Sequence, residues 1–146
     1  MTSAISTPVI VGLASGIALI AVFSLFSTSS PNHGSKEISI VVIPEGASLE
    51  SIPESLVPDV IKMKIGVNNT VRWVSQDTVP HGLTSDSGYI DPLTGAAFDT
   101  MQSSELGGGF LLPGESYDFT FREAGEFGYH GEPHPWMQRT VIVLPP

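Results

Sequence analysis

The sequence predicts an all-β domain, a sandwich or barrel, that follows an apolar N-terminal segment. Three observations carry this prediction. Short β-branched or alternating runs are separated by Gly, Pro and Asn turns, which is typical of all-β architectures. No run has the apolar spacing of a long amphipathic helix. Finally, all 15 acidic and all 6 basic residues lie from Lys36 onward. We therefore expect three segments: 1–26, 27–35 and 36–146.

The first segment is predicted to be a transmembrane anchor or a signal segment. It contains Pro8–Phe26, 19 mostly apolar and uncharged residues, and about 20 are needed to cross a bilayer as a helix. Small residues at Ser27–Ser29 leave signal cleavage open, in which case the domain would be secreted. Residues 27–35 are polar, with Pro and Gly, and predict a flexible linker.

The predicted strands of the body are short runs rich in β-branched or alternating apolar residues. They are Glu37–Ile43, Val60–Val67, Thr70–Ser75, Glu115–Phe121, Phe127–His130 and Arg139–Leu144. Between them, Ser85–Gly109 is rich in Ser, Asp, Gly and Thr and predicts a long excursion with little regular structure.

Composition excludes several classes of function. The net charge of −9 argues against nucleic acid as a partner, because phosphate binding needs a basic face. The chain has no cysteine, so the domain has no disulfide framework. The sequence shows no nucleophile–base pair and no cofactor loop, so we do not expect an enzyme.

Two segments contain the candidate functional residues of the sequence. They are VRWVSQDTVPHGL, Val71–Leu83, and FGYHGEPHPWMQRTVIV, Phe127–Val143. Together, and in this order, they resemble the cupredoxins, the blue (type 1) copper proteins, with the short ligand-loop spacing of the amicyanins. The resemblance implies a Greek-key β-sandwich, a copper ion and a role in electron transport.

The resemblance also implies a ligand set. His81 matches the first histidine ligand, His134 the second, and Met137 the axial methionine. The position of the cysteine ligand is Gly131, so the thiolate of the trigonal site is missing. Ser75 replaces the Asn that usually braces the cysteine loop.

The remaining donor types do not decide which metal would bind. Imidazoles suit copper and zinc, whereas a thioether suits Cu(I). Gly131 is expected to leave a space that water or a small anion could fill. His130 is a further candidate ligand, but neighbouring side chains of a strand point to opposite faces. If residue 131 faces the metal, His130 faces away unless the strand rearranges.

Three functions follow. The first is a membrane-anchored copper protein for electron transfer, with its domain outside the cytoplasm, although the missing thiolate argues against efficient transfer. The second is copper or zinc binding or delivery without redox chemistry. The third is a metal-free interaction module of a membrane complex. A redox or membrane-complex protein would be the partner.

Overall fold

Seven strands form two sheets in the computed structural model, which describes residues 36–146. The strands are β1 Ile38–Ile43, β2 Val60–Lys64, β3 Thr70–Ser75, β4 Gly82–Ser85, β5 Ser116–Thr120, β6 Gly125–Glu132 and β7 Gln138–Leu144. A 3-10 turn spans Thr100–Gln102. The predicted all-β sandwich is confirmed. The predicted membrane segment and linker lie outside the described residues.

The order of strands is β1-β3-β5 in one sheet and β2-β7-β6-β4 in the other. In the first sheet, β1 runs parallel to β3, and β5 antiparallel to it. In the second, β2 is parallel to β7, while the β6–β7 and β4–β6 pairs are antiparallel. β6 is therefore an inner strand, held on both sides.

Six of the seven strands were predicted, with ends that differ from the structure by up to three residues. β2 ends at Lys64, three residues early, because the chain turns at Gly66, whose φ of 82° favours glycine. β4 was not predicted, because four residues beginning with glycine are too few to show alternation. The excursion after β4 contains isolated bridges, such as Ile90 with Ala97, and the 3-10 turn.

The core lies between the sheets and is dominated by aromatic rings. Trp73 of β3 is fully buried and stacks on Phe98, with 5.1 Å between ring centroids. It also meets Tyr129 of β6 edge-on, and its Nε1 donates to the Tyr129 hydroxyl at 3.2 Å. These contacts join the sheets and fix the inward face of β6, on which Gly131 lies two residues further on.

Within residues 36–146, no helix has the length and apolar character needed to span a bilayer.

Candidate metal centre

His81 is fixed at the start of β4 by backbone and side-chain contacts. Its N–H donates to the Leu111 carbonyl at 3.0 Å, and the Leu111 N–H donates back at 2.8 Å. The residue is completely buried. The two reciprocal backbone bonds fix the main chain of His81 and place its imidazole in the buried interior.

Asp77 holds the far nitrogen of this ring. Its Oδ2 lies 2.7 Å from Nε2 of His81, and its carboxylate also accepts the amide N–H groups of Gly46, Ser48 and Thr78. Burial alone would raise the pKa of Asp77, but these hydrogen bonds outweigh it and lower the pKa to about 2. Because a carboxylate only accepts hydrogen bonds, the proton lies on Nε2 in the neutral ring and Nδ1 keeps its lone pair.

His134 lies in the loop between β6 and β7. Its carbonyl accepts the Met137 N–H at 3.0 Å, and the Met137 carbonyl accepts the Gly131 N–H at 3.0 Å. These bonds close the loop against β6. The His134 ring lies 5.1 Å from the partly exposed ring of Trp136. The loop therefore places one face of this histidine near the surface.

The structure brings the two predicted histidines together. The ring centroids of His81 and His134 are 5.2 Å apart. Burial is the main cause that lowers the pKa of His134, and a protonated His81 would lower it further, so His134 is neutral at pH 7. Nδ1 of each ring is buried and has no hydrogen-bond partner in the described part of the chain. Buried polar atoms are normally paired, so two unpaired nitrogens on neighbouring imidazole rings indicate a site for a ligand.

Met137 lies against Gly131 rather than leaving the expected space. A Cβ placed on Gly131 would lie 3.0 Å from both Cβ and the sulfur of Met137. The Met137 side chain is completely buried. The thioether therefore occupies the surroundings of residue 131, where the sequence led us to expect water or an anion.

His130 lies on the other face of β6. Its Nδ1 is 2.6 Å from Oδ1 of Asp86, and its Nε2 is 3.2 Å from Oε1 of Glu132. The hydrogen bond with Asp86 is the main reason that the pKa of His130 is raised, against the effect of burial. The structure does not bring His130 to the imidazole pair, in keeping with strand alternation.

The donor types present fit a soft or borderline metal ion. Among residues 36–146, no group of three or more His, Cys, Asp or Glu side chains is arranged to hold a metal. The candidate donors are instead the free Nδ1 atoms of His81 and His134 and the sulfur of Met137. Imidazole suits copper and zinc, and thioether selects Cu(I), so copper matches the complete set better than zinc does.

Sequence reasoning missed the support that Asp77 gives to His81, and it correctly drew attention to the change at Ser75. Asp77 was not singled out, although the Asp77–His81 spacing of four residues was visible. Metal-binding histidines commonly donate their second nitrogen to such a carboxylate. Ser75 ends β3 with its side chain buried and its Oγ unpaired within the described residues. Its hydroxyl therefore braces no part of the ligand loop.

Comparisons with known proteins agree with this geometry. A family model described as copper binding proteins, plastocyanin/azurin family, matches residues 48–144. Amicyanin of Paracoccus denitrificans is 29% identical over 104 residues, which cover 66% of this chain and 71% of that protein. Plastocyanin of Scenedesmus fuscus is 32% identical over 88 residues, covering 59% and 83%.

Solved structures show the same fold. A purple cupredoxin from Nitrosopumilus maritimus superposes with a TM-score of 0.54 at 26% identity, covering 73% of this chain and 99% of that one. A Cu(I) form of an amicyanin variant gives a TM-score of 0.50 at 24% identity, covering 73% and 82%. The second comparison supports the fold alone.

Proposed function

Because this chain belongs to the plastocyanin/azurin family of copper-binding proteins, we propose that it binds copper through Nδ1 of His81, Nδ1 of His134 and the sulfur of Met137. The observation that carries the proposal is the pair of buried, unpaired Nδ1 atoms on rings 5.2 Å apart. No thiolate takes part, since the chain has no cysteine.

Each residue has a separate task in this proposal. Asp77 orients the His81 ring and keeps the proton on Nε2, which makes Nδ1 a better donor. Burial keeps His134 neutral and able to bind. A bound copper ion would supply one-electron chemistry, but the strong thiolate bond of a blue copper site is absent. We therefore propose copper holding and delivery as the main role.

Electron transfer is the second candidate, and the family match favours it. A thioether and two imidazoles prefer different geometries for Cu(I) and Cu(II), so each transfer would require reorganisation of the site. Slow electron self-exchange of the copper-loaded protein would support delivery. Fast self-exchange, at the rate of an ordinary blue copper protein, would support transfer. Neither role requires catalysis, and we propose no enzymatic activity.

We also propose that the domain lies outside the cytoplasm and is held at a membrane by residues 8–26. The support is the uncharged, apolar stretch of 19 residues, which matches the length of a membrane span. Its partner would be a copper-receiving or redox protein of the same membrane. Membrane fractionation of the full chain, before and after deletion of residues 8–26, tests this placement.

Copper binding is tested with the full chain in detergent. Cu(II) and Cu(I) affinities are measured by competition with chromophoric chelators, for wild type and for the double variant His81→Ala, His134→Ala. We expect the double variant to lose at least ~100-fold in affinity, the upper end of the loss seen when only a supporting residue is removed. His130→Ala is the matched control, because this histidine lies on the outer face.

Equal binding by the double variant and by wild type would refute the assignment of the site. Failure of wild type to bind copper or zinc at all would favour the remaining alternative, a metal-free interaction module. In that case a stable complex with a membrane protein should co-purify with the full chain.

A further inference from the structure

Gly131 is not required by the backbone. It is absent from the glycines of positive φ, which include Gly66, Gly125 and six others among the described residues. Any residue could therefore adopt its extended conformation in β6. A side chain would instead be crowded by the neighbour, because a Cβ here would meet the Cβ and sulfur of Met137 at 3.0 Å and the Met137 methyl at 3.3 Å, and Met137 would have to shift.

Met137 and Gly131 are thus fitted to each other. Side chains on this face of β6 point inward, as Tyr129 does, and Met137 occupies the inward side at residue 131. Methionine is unbranched and polarisable, so it fills irregular spaces well. The backbone bond from the Gly131 N–H to the Met137 carbonyl fixes the pair at close range.

The electrostatics of the site favour a single positive charge. Both imidazoles and the thioether are neutral donors. The Asp77 carboxylate is the buried charge in contact with the His81 ring, at 2.7 Å. Asp86 and Glu132 are turned toward His130 on the outer face. One carboxylate balances a monovalent ion, whereas a divalent ion would leave an uncompensated buried charge, which is costly.

We propose that the Met137 thioether, lying in the space that a residue-131 side chain would occupy, is a strong ligand of the site and makes it selective for Cu(I) over Cu(II). This inference rests on the proposed copper-binding function. The absence of a side chain at residue 131 is then a requirement of the site, because it lets the sulfur of Met137 reach this position.

The first test measures Cu(I) and Cu(II) affinities of the full chain in detergent for Met137→Leu, a substitution that conserves volume. We expect Cu(I) affinity to fall by at least ~100-fold and Cu(II) affinity by no more than about tenfold. Met63→Leu is the matched control, because Met63 is equally buried but lies on β2. Equal losses for both oxidation states, or none for Cu(I), would overturn the inference.

The second test is a double-mutant cycle on the close contact. In Gly131→Ala, the new Cβ should displace the thioether and weaken Cu(I) binding. The double variant Gly131→Ala, Met137→Leu should then bind Cu(I) no more weakly than Met137→Leu alone, because the two changes remove one interaction. Gly107→Ala is the control, since a Cβ there has no atom within 4 Å. Additive losses would contradict the proposed displacement.

A third measurement needs no variant, so it tests for a sulfur ligand even where a variant misfolds. X-ray absorption of the wild-type Cu(I) complex should show sulfur in the coordination shell, since the Met137 sulfur lies 3.0 Å from a Cβ placed on Gly131. A shell of nitrogen or oxygen alone would overturn the inference. It would leave the two-histidine part of the proposed site intact. That part fails if the His81→Ala, His134→Ala variant binds copper as well as wild type does, or if wild type binds no copper.

Discussion

Histidines lie on both sides of β6 and its loop, but their surroundings have opposite electrostatic effects. On the inner face, His134 is partly buried, has a lowered pKa and has an unpaired Nδ1 among the described residues. On the outer face, His130 has both ring nitrogens bound to carboxylates and a raised pKa. The two histidines are four residues apart in the chain.

The difference shows that the surroundings of a histidine, more than its position in a motif, decide whether it can bind a metal. Burial without a carboxylate favours the neutral ring, which offers a lone pair. Carboxylates on both ring nitrogens, as at His130, favour the charged ring, whose two nitrogens are both donors. A single carboxylate, as Asp77 on Nε2 of His81, leaves Nδ1 with its lone pair. The inner face is suited to a metal ion and the outer face to ion pairs.

The largest expected contrast comes from placing a cysteine on each face. Gly131→Cys should give the Cu(II) protein intense visible absorption, because it returns a thiolate to the pair of imidazoles. His130→Cys, its control, should remain nearly colourless. Gly131→Cys should also destabilise the apo-protein by about 1–3 kcal/mol, because its Cβ crowds Met137. Absorption spectra and urea unfolding measure both effects. A colourless Gly131→Cys protein that still binds Cu(II) would contradict the inner-face assignment of residue 131.

The next comparison removes a carboxylate that is hydrogen-bonded to a histidine, either Asp77 beside His81 or Asp86 beside His130. Asp77 is almost completely buried and binds His81 and three amides, so Asp77→Ala should lower the free energy of unfolding by about 3–5 kcal/mol. The Asp86 side chain is 51% exposed, and Asp86→Ala should cost less than about 1 kcal/mol. Urea unfolding of both apo-proteins tests this. Similar losses would mean that Asp77 has no special structural role.

Much of this organisation could be predicted from the sequence, for definite physical reasons. Alternation along β6 requires His130 and residue 131 to face opposite sides, and the structure has them so. The resemblance to the cupredoxins implied that His81 and His134 would lie together, as their rings do. The Met137–Gly131 contact could not be predicted, because it depends on how the loop folds back on the strand. The spacing of Asp77 and His81 was visible in the sequence, but the hydrogen bonds of Asp77 with Gly46 and Ser48 were not, because those residues lie about thirty positions away along the chain.

The smallest effects should appear in the pH dependence of apo-protein stability, with opposite signs for the two histidines. An unfolded histidine has a pKa of about 6.5. The lowered pKa of His134 means that, below about pH 6.5, the unfolded chain binds this proton more readily than the folded chain, so stability falls as pH falls. The raised pKa of His130 has the reverse effect. Its contribution is complete below about pH 6.5 and is lost as pH rises through the raised pKa.

Unfolding free energies between pH 5 and pH 8 (a range set around the histidine pKa of about 6.5) should separate the two residues. With a metal chelator present, His134→Gln should reduce the loss of stability below about pH 6.5. His130→Gln should reduce the loss of stability as the pH rises above about 6.5. Both effects are small because each ring is partly exposed and solvent screens its charge. If the two variants change the pH profile in the same direction, then the two faces of β6 do not differ electrostatically as their hydrogen bonds indicate.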